Sequence, residues 1–183
     1  MNILTTNIPD LRVVETNSHT DVRGAFARLY CEQELTQVVG QRTIVQVNHS
    51  RTLAVGAVRG LHFQYPPYAE MKLVRCLKGR VWDVAIDLRQ KSPTFLRWHA
   101  EELTPTNARM IVIPEGFAHG FVVLSEEAQF LYKTTDYWHA KSEQCIRWND
   151  PTLKIDWQLP KSIEPLVNAK DSAGKLFEDA FYF

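Results

Sequence analysis

Met110-Ile-Val-Ile-Pro-Glu-Gly-Phe-Ala-His-Gly-Phe-Val-Val-Leu124 is the stretch whose reading decides the fold. Apolar runs flank Pro114-Glu115-Gly116. Proline has no N–H to give to a ladder and glycine eases a reversal, so the stretch reads as two strands around a turn. Working outward, Ala128–Thr135 reads as a strand carrying Tyr132. Lys72–Leu77 and Arg80–Leu88, joined at Lys78-Gly79, read as a hairpin. Trp82, Val84, Ile86 and Leu88 form its apolar face, and Asp83 and Asp87 lie on the other. Phe95–Ala100, Ile44–Asn48, Leu11–Glu15 and Ala27–Tyr30 complete the strands, with Asn17–Asp21 a polar connection and Gly24 a turn or bulge beside Arg23. Strands at roughly ten-residue spacing predict an all-β sandwich or barrel, of which a jelly roll is one standard form. Two short helices are expected, Glu32–Val38 and Ala173–Ala180. Beyond Asn149-Asp150-Pro151 the alternation is lost, and that segment is expected to wrap the barrel. No linker or repeat divides the chain, so residues 1–183 are expected to form one domain.

Composition narrows the function. The 183 residues are 45% hydrophobic and 23% charged, with a formal net charge of +0. That is the balance of an ordinary soluble protein, without the basic excess that nucleic acid binding requires. Cys31, Cys76 and Cys145 are scattered and odd in number, which suits a reducing compartment better than a disulfide framework. No signal peptide or membrane-length apolar run is visible, so a cytoplasmic location is expected, with no membrane partner.

Chemistry concentrates in Arg59-Gly-Leu-His-Phe-Gln-Tyr-Pro-Pro-Tyr-Ala-Glu-Met-Lys72. Period-two alternation puts His62 and Gln64 on one face and Leu61 and Phe63 on the other. Pro66-Pro67 ends the strand, and Lys72 falls opposite Leu73. His62 is either a satisfied core histidine or a general base. Lys72 is either an edge lysine or an ammonium stabilising an oxyanion. Tyr132 is either a rim aromatic or a phenol able to return a proton. Arg23 and Arg59 are either surface arginines or, with Lys72, ligands of a diphosphate. Regular alternation would put Arg59 and His62 on opposite faces, so both line one pocket only if Gly60 or a bulge breaks it.

Pro114-Glu-Gly-Phe-Ala-His119 resembles the second motif of the cupin superfamily, which implies a jelly roll. Metal-binding cupins carry a His-x-His pair where this chain has His62-Phe63-Gln64, with Glu70 further along, so no metal is expected. Longer runs resemble the dTDP-4-dehydrorhamnose 3,5-epimerase family. They are Asp21-Val-Arg-Gly-Ala-Phe26, Gln46-Val-Asn-His-Ser50, Arg59-Gly-Leu-His-Phe-Gln64, Lys72-Leu-Val74 and Asp83-Val-Ala-Ile-Asp-Leu-Arg89. The series continues through Ile113–Phe121, Leu131-Tyr-Lys-Thr-Thr-Asp-Tyr137, Ile146-Arg-Trp-Asn-Asp-Pro151 and Lys170-Asp171, covering most of the chain in order.

The resemblance implies a cofactor-free epimerase of a nucleotide-activated 4-keto-6-deoxy sugar. It assigns His62 as base, Asp171 as its holder, Tyr132 as acid and Lys72 as partner of the enolate, with His119 nearby. Arg23, Phe26, Gln46, Asn48, Arg59, Trp138 and Glu143 fall at substrate-binding positions. It also implies a homodimer in which exchanged strands carry Arg23 and Phe26 to the partner's site. Two positions depart from the family pattern: Trp138 replaces a tyrosine and Arg28 a glutamate. Both touch nucleotide recognition, so the nucleotide and sugar are less fixed than the reaction. The competing readings are an epimerase acting at one carbon or on another carrier, a metal-dependent cupin enzyme, and a non-catalytic sugar-binding jelly roll.

Overall fold

Residues 1–179 and 183 are described by the computed structural model. The strands are β1 (Asn2–Thr5), β2 (Arg12–Glu15), β3 (Ser18–Asp21), β4 (Gly24–Ala27), β5 (Gln46–Thr52), β6 (Ala57–Gln64) and β7 (Lys72–Lys78). They continue with β8 (Val81–Asp87), β9 (Trp98–Leu103), β10 (Arg109–Ile113), β11 (Phe117–Val123), β12 (Ala128–Thr134), β13 (Glu143–Cys145) and β14 (Leu166–Val167). The helices are α1 (Glu32–Val39) and α2 (Ala169–Ser172), followed by a 3-10 turn at Phe177–Asp179. One sheet runs β1-β2-β10-β7-β12-β5. The other runs β13-β6-β11-β8-β9, with β14 added in parallel to β6. This is the expected jelly roll, and β3 and β4 form a separate exposed hairpin.

Alternation sorts each strand into an inner and an outer face. Val74, Cys76, Ala85, Ile111, Phe121, Val123 and Phe130 meet between the sheets, where Phe121 and Phe130 stack at 4.2 Å. The outer face of the first sheet carries Leu73, Met110 and Val112, covered by Leu35 and Val39 of α1. The outer face of the second carries Leu61, Phe63, Val84, Ile86 and Val122. It is covered by Ile146, Leu153, Trp157 and Phe177, so the tail wraps the barrel as expected. Asp150 pins that tail, its carboxylate accepting from the N–H groups of Thr152 (2.8 Å), Leu153 (3.2 Å) and Phe177 (2.6 Å).

Several elements differ from the sequence expectation. β7 and β8 are not a hairpin: β7 pairs with β10 and β12, β8 with β9 and β11, and Lys78-Gly79 carries the chain from one sheet to the other. Gly79 has φ +81°, and a Cβ there would lie 1.9 Å from the carbonyl oxygen of Glu127. Alternation reports which face a residue takes but is silent about which strand lies alongside. Phe95–Arg97 belong to the turn before β9, and Ser18–Asp21 is a strand rather than a connection. In the tail, Ala169–Ser172 is helical ahead of the predicted Ala173–Ala180, because Asn168 caps it by accepting from the Asp171 N–H at 2.7 Å. Ala180 lies outside the described residues.

One irregularity positions the site. In the β6–β11 pair His62 lies opposite His119, yet Arg59 lies opposite Phe121. Gly60-Leu61 therefore faces Gly120 alone. This bulge shifts the alternation by one, so that Arg59, His62 and Gln64 all turn inward while Val58, Leu61 and Phe63 turn outward. The crossing is tight. Gly60 has φ +117°, and a Cβ on it would sit 2.7 Å from both Gly120 Cα and the His119 carbonyl oxygen. Gly60→Ala is expected to destabilise the fold by about 1–3 kcal/mol. The check is a lower urea midpoint at unchanged m-value; an unshifted midpoint would show that the backbone yields at no cost.

Candidate active site

The two sheets enclose a cavity of about 500 Å³, open at one end. The second sheet supplies Arg59, His62, Gln64, His119 and Glu143; the first supplies Gln46, Asn48, Lys72, Tyr132 and Thr134. Glu70, Asp136, Trp138 and Asp171 complete it from connecting segments and α2.

Asp171 is the anchor. Its carboxylate is 1% exposed; Oδ1 lies 2.8 Å from His62 Nε2, and Oδ2 accepts the Gly60 N–H at 3.0 Å. Burial works to raise this carboxyl. The His62 hydrogen bond and charge, the Gly60 N–H and the Lys170 charge outweigh it and hold the group below its usual range. It therefore stays ionised, fixes the imidazole, and leaves the other ring nitrogen without a protein hydrogen bond among the described residues.

Lys72 Nζ pairs with Glu70 at 3.1 Å and lies 3.4 Å from the His62 carbonyl oxygen. His119 Nε2 lies 2.9 Å from Oδ2 of Asp83, a fully buried carboxylate. Tyr132 enters from the wall opposite His62. Burial, then the charge of Glu143, raises its phenol above the ordinary value; Arg59 opposes and Glu70 adds. The phenol is thus held protonated. Burial raises Glu143 as well, but Lys170 and His62 prevail and its carboxyl is lowered. Gln46 Oε1 accepts the Trp138 backbone N–H at 2.7 Å, fixing the main chain of a residue whose side chain is exposed at the mouth.

Every site residue expected from the sequence lines this cavity except Arg23 and Phe26. Those two sit on the β3–β4 hairpin, where Arg23 pairs with Asp21 and Phe26 is 68% exposed. Arg28 lies just beyond it and pairs with Glu34 at 2.7 Å. Sequence reasoning passed over Thr134, weighed Glu70 only as a possible metal ligand, and read Asp83 only as the polar face of a strand. Parity put Asp83 opposite the apolar face, but nothing in the sequence marked that side as buried or tied it to His119. The four side chains a cupin metal would use converge here, but each has a protein partner. Gln64 Nε2 donates to Glu70 Oε2 at 2.7 Å, Glu70 also holds Lys72, His62 holds Asp171, and His119 holds Asp83.

An ionised, buried carboxylate gripping an imidazole, a protonated phenol on the opposite wall and an ammonium in the same cavity can carry a proton from one face of a substrate to the other. The model of the family described as dTDP-4-dehydrorhamnose 3,5-epimerase matches residues 5–179. The chain belongs to that family. The dTDP-4-dehydrorhamnose 3,5-epimerase of Pseudomonas aeruginosa is 51% identical over 177 residues, 96% of each chain. The crystal structure of the enzyme of that name from Elizabethkingia anophelis superposes with TM-score 0.92 at 40% identity, covering 100% of this chain and 99% of that one. A dTDP-6-deoxy-D-glucose-3,5-epimerase of Legionella pneumophila, solved in complex with dTDP-4-keto-L-rhamnose, superposes with TM-score 0.92 at 42% identity, covering 97% and 93%. Family membership thus spans nearly the whole chain.

Because Asp171 is lowered in the folded state, it contributes stability above its unfolded pKa, near 3.8, and loses it as pH falls through the folded value. Asp171→Asn should therefore lower Tm at neutral pH and flatten the fall in Tm below about pH 4. Thermal unfolding of both chains across that range checks this, and parallel curves would refute it.

Proposed function

We propose that this chain converts dTDP-4-dehydro-6-deoxyglucose to dTDP-4-dehydrorhamnose by epimerising C3 and C5, and that residues 1–183 act as one domain. The observation that carries the reading is that His62, held by Asp171, and Tyr132 face one cavity from opposite sheets, with Lys72 Nζ 3.4 Å from the His62 carbonyl oxygen. Protons on the carbons flanking a ketone are acidic enough for an imidazole to remove if the enolate oxygen is stabilised. The C–H electron pair moves into the enolate, the proton goes to His62, and Lys72 lies where its ammonium meets the developing oxyanion. Tyr132 then gives its proton to the opposite face of the carbon, and solvent resets both groups. The acidity comes from the substrate's own ketone, so the step calls on no cofactor.

Trp138 offers an aromatic face for the base, its main chain held by Gln46. Arg59 is a planar donor for the diphosphate, with Asn48 and Glu143 beside it. In place of the family's usual glutamate, Arg28 is turned to Glu34, so its charge is spent within the chain. The hairpin bearing Arg23 and Phe26 touches little of its own chain. Its exposed Val22 and Phe26 suit insertion into the cavity mouth of a second copy, giving a homodimer. The charge balance and free thiols suit the cytoplasm; among the described residues no helix is long and apolar enough to cross a membrane.

In deuterated water the product should carry deuterium at C3 and C5 by proton NMR. His62→Ala should lower turnover by about 10²–10⁴-fold. Tyr132→Phe should exchange substrate protons while inverting few centres, because deuterium returns from the face that lost the proton. Label at one carbon would make this a mono-epimerase, and no exchange at all would refute the reading. If the hairpin reaches the partner's cavity, Arg23→Ala should raise KM more than it lowers kcat, and the wild type should sediment as a dimer. A monomer of full activity would rule that arrangement out.

A further inference from the structure

Cys145 has no part in the proton transfers above, yet it lies against their base. It pairs directly opposite His62 in the β13–β6 ladder, and its Sγ is packed so close to Gly174 that a Cβ there would be 3.0 Å away. One ligand atom each from His62, Asp171 and Cys145 falls within 4.8 Å of the other two. The sulfur has only a long contact, 3.5 Å, to the Ile146 carbonyl oxygen. The three side chains come from β6, α2 and β13, which hydrogen bonds already hold in register.

From this geometry we propose that His62, Asp171 and Cys145 form an inhibitory site for a thiophilic divalent cation, with zinc and cadmium as its natural class. One thiolate, one imidazole and one carboxylate is a donor set zinc accepts, and His62 and Asp171 also line the cavity. Donors on a tetrahedral zinc stand roughly 3.3–3.6 Å apart, so side-chain rotation brings the sulfur closer and opens the 2.8 Å pair of His62 and Asp171. The thiol proton leaves to solvent as the metal binds. Lys170, the cation nearest the cluster on its own helix, is already paired with Glu143. The cation is not a participant in the reaction. It takes the carboxylate that orients His62 and a ring nitrogen of the base itself, so proton abstraction stops while the nucleotide-binding wall is untouched. The inhibitory effect rests on the reading of His62 as the base; the metal site does not.

The test is a cadmium titration of the intact protein, following the ultraviolet thiolate-to-cadmium band alongside epimerisation. The band and the loss of activity should rise together to one cadmium per chain and reverse with excess chelator. Cys145→Ser and Cys145→Ala should show neither effect while epimerising normally without metal, and Cys31→Ser should behave as the wild type. His62→Gln, which keeps Cys145, should bind cadmium more weakly by the same band. Undiminished binding or inhibition in both Cys145 variants would overturn the proposal, as would a saturated Cys145 band with full activity. A wild type that binds cadmium through these residues but never exchanges substrate protons would refute the epimerase reading and leave the site standing.

Discussion

A single carboxylate holds two things that would otherwise be independent. Through Oδ1 Asp171 fixes the His62 ring, and through Oδ2 it takes the Gly60 N–H. That N–H needs such an acceptor because the bulge at Gly60-Leu61 removes it from the ladder with β11. A buried N–H left unsatisfied costs about 1–3 kcal/mol, so the bulge and the carboxylate stabilise each other. The bulge in turn is what brings Arg59 and His62 to the same side. The backbone irregularity and the base's orientation are therefore one structural fact.

Around that anchor the cavity balances charge pair by pair. His119 sits over Asp83, Lys72 beside Glu70, and Glu143 beside Lys170. In a partly desolvated cleft, such pairing lets ionised groups remain close without expelling one another. Tyr132 is the exception: burial and the charge of Glu143 outweigh nearby Arg59, which is the condition for keeping a donor proton. The two sheets contribute the two roles from opposite walls, and inversion at a carbon needs that arrangement.

How legible was this in the sequence? Face assignment was, in part: alternation put His62 and Gln64 on one face and Lys72 opposite buried Leu73, and all three line the cavity. Strand partnership was not, since β7 and β8 read as a hairpin although a corner at Gly79 sends them to different sheets. The Arg59 problem was visible in advance because Gly60 sits inside a parity conflict, and the register shift resolved it there. Asp171 could be tied to His62 only through family resemblance. Nothing local marks a carboxylate in a polar tail as buried; α2 and the parallel β14 pair put it there. Gln64 shows the converse. Its inward polar position suggested chemistry, but its amide is consumed bracing the loops at Glu70, Tyr68 and His139.

The span between base and carboxylate has a consequence for how the molecule comes into being. Asp171 lies 109 positions after His62, and β6 must await both β14 and that carboxylate before its bulge is satisfied. On a ribosome the chain emerges from its N-terminus, so both sheets can be paired while the dyad is still half-made. A nascent chain would then be folded before it is competent, its cavity formed around an imidazole free to turn. Reactivity in this molecule waits on the synthesis of Asp171.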